Sequence, residues 1–214
     1  MFTVAGTGET IALTPERLVI AGYTARDQAA VQAHIDELAH IGVAPPPRIP
    51  MYYEMPVDLA TSAAAVEVAG AETSGEVEPV VVCADGRWYL GVGSDHTDRE
   101  LEKSDIPASK ATAPKPVGDH LVPLADALAV WDDIEVVSTV DGQEYQRGRL
   151  AAMLPPGTLL DGVPGTLGTD ALMFCGTLPL LAGTFVYGTH WTLELRLPDG
   201  TSLTHTYDVE RRSN

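Results

Sequence analysis

Between residues 25 and 41, apolar side chains recur at Val31, Ile35, Leu38 and Ile41, a spacing of three and four that keeps one helical face apolar. Thr24-x-x-Asp27 offers a capping box at the start of this helix, and Gly42 followed by Pro45-Pro46-Pro47 ends it. A second helix is predicted at about 123–133, with Pro123 in its first turn and Leu124, Leu128 and Trp131 on one face. Elsewhere the apolar runs are short, β-branched and bounded by turn residues. Six of them pair as three hairpins, around Asp85-Gly86, Asp141-Gly142 and Asp199-Gly200. No internal repeat or low-complexity tract interrupts the pattern. With 20 Gly and 16 Pro dividing the runs, the chain reads as a mainly β (α+β) protein with one or two helices, not a parallel doubly wound sheet.

At 214 residues the chain suits one large domain, or one with a small appendage. Its 13 Lys+Arg against 30 Asp+Glu give a net charge of −17, a field that repels phosphate backbones and anionic headgroups. Nucleic acid and membrane are therefore excluded as expected partners. The start, MFTVAGTGET, has no basic or apolar leader, and no run approaches a membrane span, so a cytoplasmic location is expected. Cys83 and Cys175 each sit in an apolar run and read as buried, reduced thiols. GxGxxG, Walker, GxSxG, HExxH and CxxC motifs are all missing, which removes the simplest dinucleotide, P-loop, serine-hydrolase and zinc readings.

The chemistry concentrates in residues 73–102. Glu76 and Glu78 are two apart, so on a strand they leave the same face. A two-residue loop at Asp85-Gly86 pairs residues whose numbers add to 171, which sets Asp95 opposite Glu76. A bulge at Pro79, Gly91 or Gly93 would shift that register by one. Three carboxylates brought together repel unless a cation lies between them, and hard oxygen donors suit Mg²⁺, Mn²⁺ or Ca²⁺. The alternative is an acidic strand facing water.

Glu76-x-Glu78, GVGSDHTDRELE (91–102), Lys110 ahead of PKPVG (114–118) and DALMFCGTLPLLAG (170–183) together resemble the motif series of the fumarylacetoacetate hydrolase superfamily. Within it, the chain is most similar to a bacterial subgroup defined as a domain of unknown function. The resemblance spans about residues 18–209. It implies a mixed β-roll over 71–214, preceded by a small α/β lid segment over 1–70, the two forming one structural unit. By the same resemblance, Glu76, Glu78 and Asp95 are metal ligands, with Mg²⁺ first and Mn²⁺ or Ca²⁺ as alternatives. Arg99 matches the arginine of the family's RDLQ segment, Lys110 its lysine, and Gly176-Thr177 its Gly-Thr pair. The departures are a shortened gap between Glu78 and Asp95, Glu102 in place of Gln, and Leu178 in place of Pro.

Family members often carry His-x-x-Glu on the lid, and His34-x-x-Glu37 matches that pattern on one face of the first helix. The alternative is a His34 that packs at the helix boundary, with Asp27 and Arg26 as substitutes. His96 and Asp98 fall on the opposite strand face from Asp95, and Tyr52-Tyr53 reads first as core. The implied function is a metal-dependent hydrolase or lyase that cleaves a carbon–carbon bond in a small oxo-acid or dioxo-acid through an enolate at the ion. Lys110 and the Thr177 hydroxyl would stabilise the oxyanion, and His34 with Glu37 would activate water. The alternatives are oxo-acid decarboxylation or isomerisation at the same site, or a non-catalytic small-molecule binding protein that keeps the pocket. The family likeness also implies a homodimer.

Overall fold

Asp85 and Gly86 both take positive φ, 50° and 71°, the mirror-image turn whose twist matches a two-residue hairpin. The computed structural model describes residues 1–29, 31, 32, 35, 36 and 45–212. The turn joins β8 (Val77–Ala84) to β9 (Arg87–Ser94), paired without a bulge from Val77 opposite Ser94 to Ala84 opposite Arg87. Gly93 lies in a crowded place that only glycine fits: a Cβ there would lie 2.8 Å from Phe174, Val80 and the Pro116 carbonyl.

This hairpin is the centre of a mixed eight-stranded sheet. On the β9 side lie β12 (His120–Pro123), β1 (Phe2–Val4) and β2 (Thr10–Ile11), and on the β8 side β15 (Ala171–Phe174), β3 (Arg17–Gly22) and β4 (Met51–Met55). A five-stranded sheet runs in the order β14 (Gln143–Arg149), β13 (Glu135–Val140), β16 (His190–Arg196), β17 (Ser202–Arg211), β6 (Ala65–Val68). Two short pairs complete the strands, β7 (Thr73–Ser74) with β10 (Thr97–Asp98), and β5 (Ala60–Thr61) with β11 (Lys115–Pro116).

Every residue of β8 is buried, because both faces of the large sheet are covered. Val77 and Val81 face a core shared with Trp191, Leu193 and Leu195 of the small sheet. Val80 and Val82 face a second core with Leu18, Ile20 and Phe174. Glu78 shares the parity of Val80 and so leaves β8 on the side of that second core. The first 70 residues supply β1 to β4 to the large sheet and β6 to the small one, so residue 70 divides the sequence and not the sheets.

The first helix starts later than its capping signal suggests. Asp27 is its cap, its Oδ1 accepting the Ala29 N–H at 3.0 Å and its carbonyl the Val31 N–H at 3.1 Å. Residues 28, 29, 31, 32, 35 and 36 are helical, and Val31 and Ile35 are buried, whereas Leu38, Ile41 and Gly42 lie outside the described residues. The second helix is shorter than 123–133. It covers Leu124–Ala129 and passes at Val130 (φ −126°) into a 3₁₀ turn, Trp131–Asp133, so that Leu124 and Trp131 are buried but Leu128 is 41% exposed. Asp141-Gly142 makes a second mirror-image turn, with φ of 49° and 79°. The Asp199-Gly200 turn is wider, since β16 and β17 pair only from Arg196 opposite Ser202. Among the described residues no helix is long and apolar enough to cross a membrane.

Candidate active site

The Asp95 N–H donates to the Glu76 carbonyl at 3.1 Å, extending the β8–β9 ladder so that Asp95 faces Glu76. Just beyond, β10 pairs with β7, and Asp98 caps the helix Arg99–Glu102 through the Glu100 and Leu101 N–H groups. That turn folds Arg99 back inside. Its Nη2 lies 3.0 Å from Glu76 Oε2, its Nη1 2.9 Å from Glu102 Oε2, and its Nε donates to Ser74 Oγ at 2.7 Å. The Phe185 ring covers the guanidinium at 4.0 Å. Asp105 caps a second short helix, Ile106–Ala111, whose last turn carries Lys110. The Lys110 ammonium pairs with Asp95 Oδ2, and the Lys115 ammonium, from β11, lies 3.3 Å from Asp95 Oδ1 and donates to the His96 carbonyl. Glu78 Oε2 accepts the Gly176 N–H at 2.8 Å. Gly176 is required there: its φ is +90°, and a Cβ would meet Thr24 Oγ1 at 1.9 Å.

Glu78, Asp95, Arg99, Lys110 and Lys115 are all buried. Burial alone would raise the Asp95 carboxyl, but Lys110 and Lys115 together pull it below the usual carboxylate range. Burial opposes a charged Lys110, yet Asp95 and Glu102 hold it above its ordinary value. Lys115 has fewer anions near it, and burial pushes it down to about 8. Glu78 is the exception among the acids. Burial first, then the charge of Asp95, push it well above the usual range, and its carboxylate accepts one hydrogen bond among the described residues. Glu76 is also raised by burial, with Arg99 offsetting part of the effect.

A divalent cation suits this donor chemistry. The three carboxylates are buried or half-buried hard-oxygen donors, and Glu78 is paired directly with no described cation. A carboxylate oxygen that accepts one N–H keeps a second lone pair for an ion. The side chains do not form a closed cage as they stand: among the described residues, no three acidic, histidine or cysteine side chains are grouped tightly enough to hold an ion.

Of the other residues singled out in the sequence, Thr177 is a strut. Its hydroxyl donates to the Val77 carbonyl at 2.8 Å and accepts from Gln146 Nε2 at 2.7 Å. His34 and Glu37 lie outside the described residues. His96 and Asp98 have separate partners. The His96 ring is buried between Tyr207 and Thr73, at 3.1 Å from each hydroxyl, and Asp98 is spent on its helix cap. The Tyr52 hydroxyl donates to the Leu159 carbonyl, while the Tyr53 ring lies 5.9 Å from Lys110 Nζ. Lys115 escaped the sequence reading, although it is one of only three lysines and stands inside the PKPVG segment. Beside the charged cluster lies a cavity of about 420 Å³, lined in part by Tyr23, Met51, Tyr53, Glu102 and Ile106.

Compared with known proteins, residues 21–207 match the family described as protein of unknown function (DUF2848). A search of curated proteins gave no match. Among solved structures, the chain is similar to a fumarylacetoacetate hydrolase family protein from yeast, at 16% identity and a TM-score of 0.68, covering 94% of this chain and 95% of that one. It is similar to 5-carboxymethyl-2-hydroxymuconate delta-isomerase from Mycobacterium smegmatis at 19% identity and a TM-score of 0.66, covering 94% and 81% of the two chains. It is also similar to 2-hydroxyhepta-2,4-diene-1,7-dioate isomerase from Mycobacterium marinum at 17% identity and a TM-score of 0.67, covering 94% and 77%.

Proposed function

The chain belongs to the DUF2848 family and has the fold of the fumarylacetoacetate hydrolases, and on that premise we propose that it is a divalent-metal-dependent hydrolase or lyase that cleaves a carbon–carbon bond in a small oxo-acid or dioxo-acid. The observation that supports this reading is the pair of buried ion pairs, Asp95 with Lys110 and Glu76 with Arg99, beside a cavity large enough for a small molecule. The names of the two similar isomerases add support, because a 2-hydroxy-alkene acid is the enol form of a 2-oxo-acid.

Glu76, Glu78 and Asp95 would hold the ion. When bound, the ion would act as a Lewis acid on the substrate's oxo group. Lys110 is held charged and spends one N–H on Asp95, which leaves donors for the oxygen that gains charge when the carbon–carbon bond breaks. A preorganised donor of this kind is typically worth about 3 to 4 kcal/mol. Arg99 holds Glu76 in place and offsets part of the rise that burial imposes on its carboxyl. Proton transfer to and from water is assigned to His34 with Glu37. Water oxygen adds to the distal carbonyl carbon, the bond to the central carbon breaks with its electron pair going to the oxo-acid fragment, and a proton then returns to that carbon. A second reading, isomerisation of an unsaturated hydroxy acid, is favoured by the same two names and uses the same charged groups.

The test combines two measurements. Mg²⁺ or Mn²⁺ should raise the melting temperature, as any ligand selective for the native state does, and the loaded protein should turn over at least one member of a panel of acylpyruvates and oxaloacetate. A protein that shows neither response is not this enzyme.

A further inference from the structure

The wall of the cavity nearest the charged cluster is built from residues in contact with it. Tyr53 lies against the Lys110 ammonium, and Glu102 binds the Arg99 guanidinium that also holds Glu76. A substrate whose oxo-acid head reaches Lys110 therefore extends the rest of its length into this cavity. The described lining there joins an apolar part, Tyr23, Met51, Tyr53, Ile106 and several prolines, to a polar part at 102–105. Its carboxylates, Glu102 and Asp105, repel a second anionic group. Its one described cation, Lys103, lies 67% exposed and is paired with Glu100. The volume, about 420 Å³, is within the roughly 300 to 1,000 Å³ typical of small-molecule sites.

Resting on the oxo-acid reading above, we infer that the substrate is a mono-carboxylate whose tail is aromatic or bulky and apolar, and that Met51 and its neighbours select against a tail ending in a second carboxylate. Burying such a tail removes apolar surface from water, and burying a second carboxylate without a cation costs far more than it gains.

The probes are phenylpyruvate and 2-oxoglutarate, which share the oxo-acid head and differ in the tail. Calorimetry on the Mg²⁺-loaded protein should give phenylpyruvate the lower Kd by at least tenfold. Met51→Arg, on the edge strand β4, places a cation at the cavity and should shift the ratio toward 2-oxoglutarate by at least tenfold. Met51→Leu, which keeps the wall apolar, should preserve the wild-type order. Equal affinities, a preference for 2-oxoglutarate, or no detectable binding of either would overturn the inference. Failure to turn over any acylpyruvate bears on the reaction and leaves this binding order standing, so the two readings fail separately.

Discussion

Removing the Lys110 ammonium tests whether the cluster is held as one electrostatic unit. Lys110→Met preserves most of the side chain's apolar length and deletes the charge on Asp95 Oδ2. Breaking a buried ion pair by removing one partner typically costs about 3 to 5 kcal/mol, because the survivor keeps its desolvation penalty. Lys115 remains on Oδ1, so the lower end, about 3 kcal/mol, is expected. At roughly 2 to 4 °C per kcal/mol for a domain of this size, the melting temperature should fall by about 6 to 12 °C. Asp95→Asn leaves two buried ammonium groups beside an amide and should cost a similar amount. The double variant has neither the stranded carboxylate nor one of the stranded cations, so its loss should be smaller than the sum of the two by at least about 1.5 kcal/mol. Urea unfolding in EDTA at pH 7 reads this coupling. The pH dependence adds a second check. Asp95 is depressed in the folded protein, so its contribution is present above the ordinary carboxylate value near 3.8 and is lost as pH falls through the lower folded value. In Lys110→Met the folded value rises towards the ordinary one, so the contribution should be smaller and its loss complete at a higher pH. Single-variant costs that add within 0.5 kcal/mol would show that the contact carries no coupling and refute the reasoning.

Glu78→Gln should leave the metal-free melting temperature unchanged or higher, since it removes a buried carboxylate crowded by Asp95, and should abolish the stabilisation by Mn²⁺ expected of the wild type; scanning calorimetry with and without the ion reads both. His96 is neutral in the fold, held down to about 3 chiefly by burial, so the unfolded chain binds its proton first and stability falls as pH drops from about 6.5 towards 3. His96→Gln should flatten that slope by up to about 1.4 kcal/mol per pH unit in metal-free urea titrations, and an unchanged slope would mean that the ring titrates normally. Gly75→Ala would place a methyl 2.4 Å from Ser94 Oγ and 2.5 Å from the Tyr207 hydroxyl, and should cost roughly 1 to 3 kcal/mol; a variant as stable as the parent would argue against the tight Ser94–Tyr207–His96 contact.

Local rules were enough for the hairpin that organises the site. Asp85-Gly86 admits the positive φ of a two-residue turn, and the turn alone dictates that Glu76 faces Asp95, because strand pairing counts residues from the loop. Alternation along β8 then places Glu78 on the face of Val80 and Val82. The mainly β character followed from short β-branched runs between turn residues in the same way. What alternation could not reveal is which cations reach those carboxylates. Lys115 arrives on a two-residue strand beside β5, Arg99 is turned inward by a four-residue helix, and the Thr177 hydroxyl is claimed by Val77 and Gln146. The Asp98 and Asp105 caps are visible as residue types, but helices of four and six residues are too short to leave a periodic trace. The end of the second helix at Ala129 was hidden for a related reason: the apolar spacing continues to Trp131, and only packing shows that Leu128 points to water. Charge pairing depends on distances between segments far apart in the chain, and burial decides how strongly each charge is felt. Both belong to the assembled fold, whereas a turn and an alternating strand are set by neighbours a few residues away.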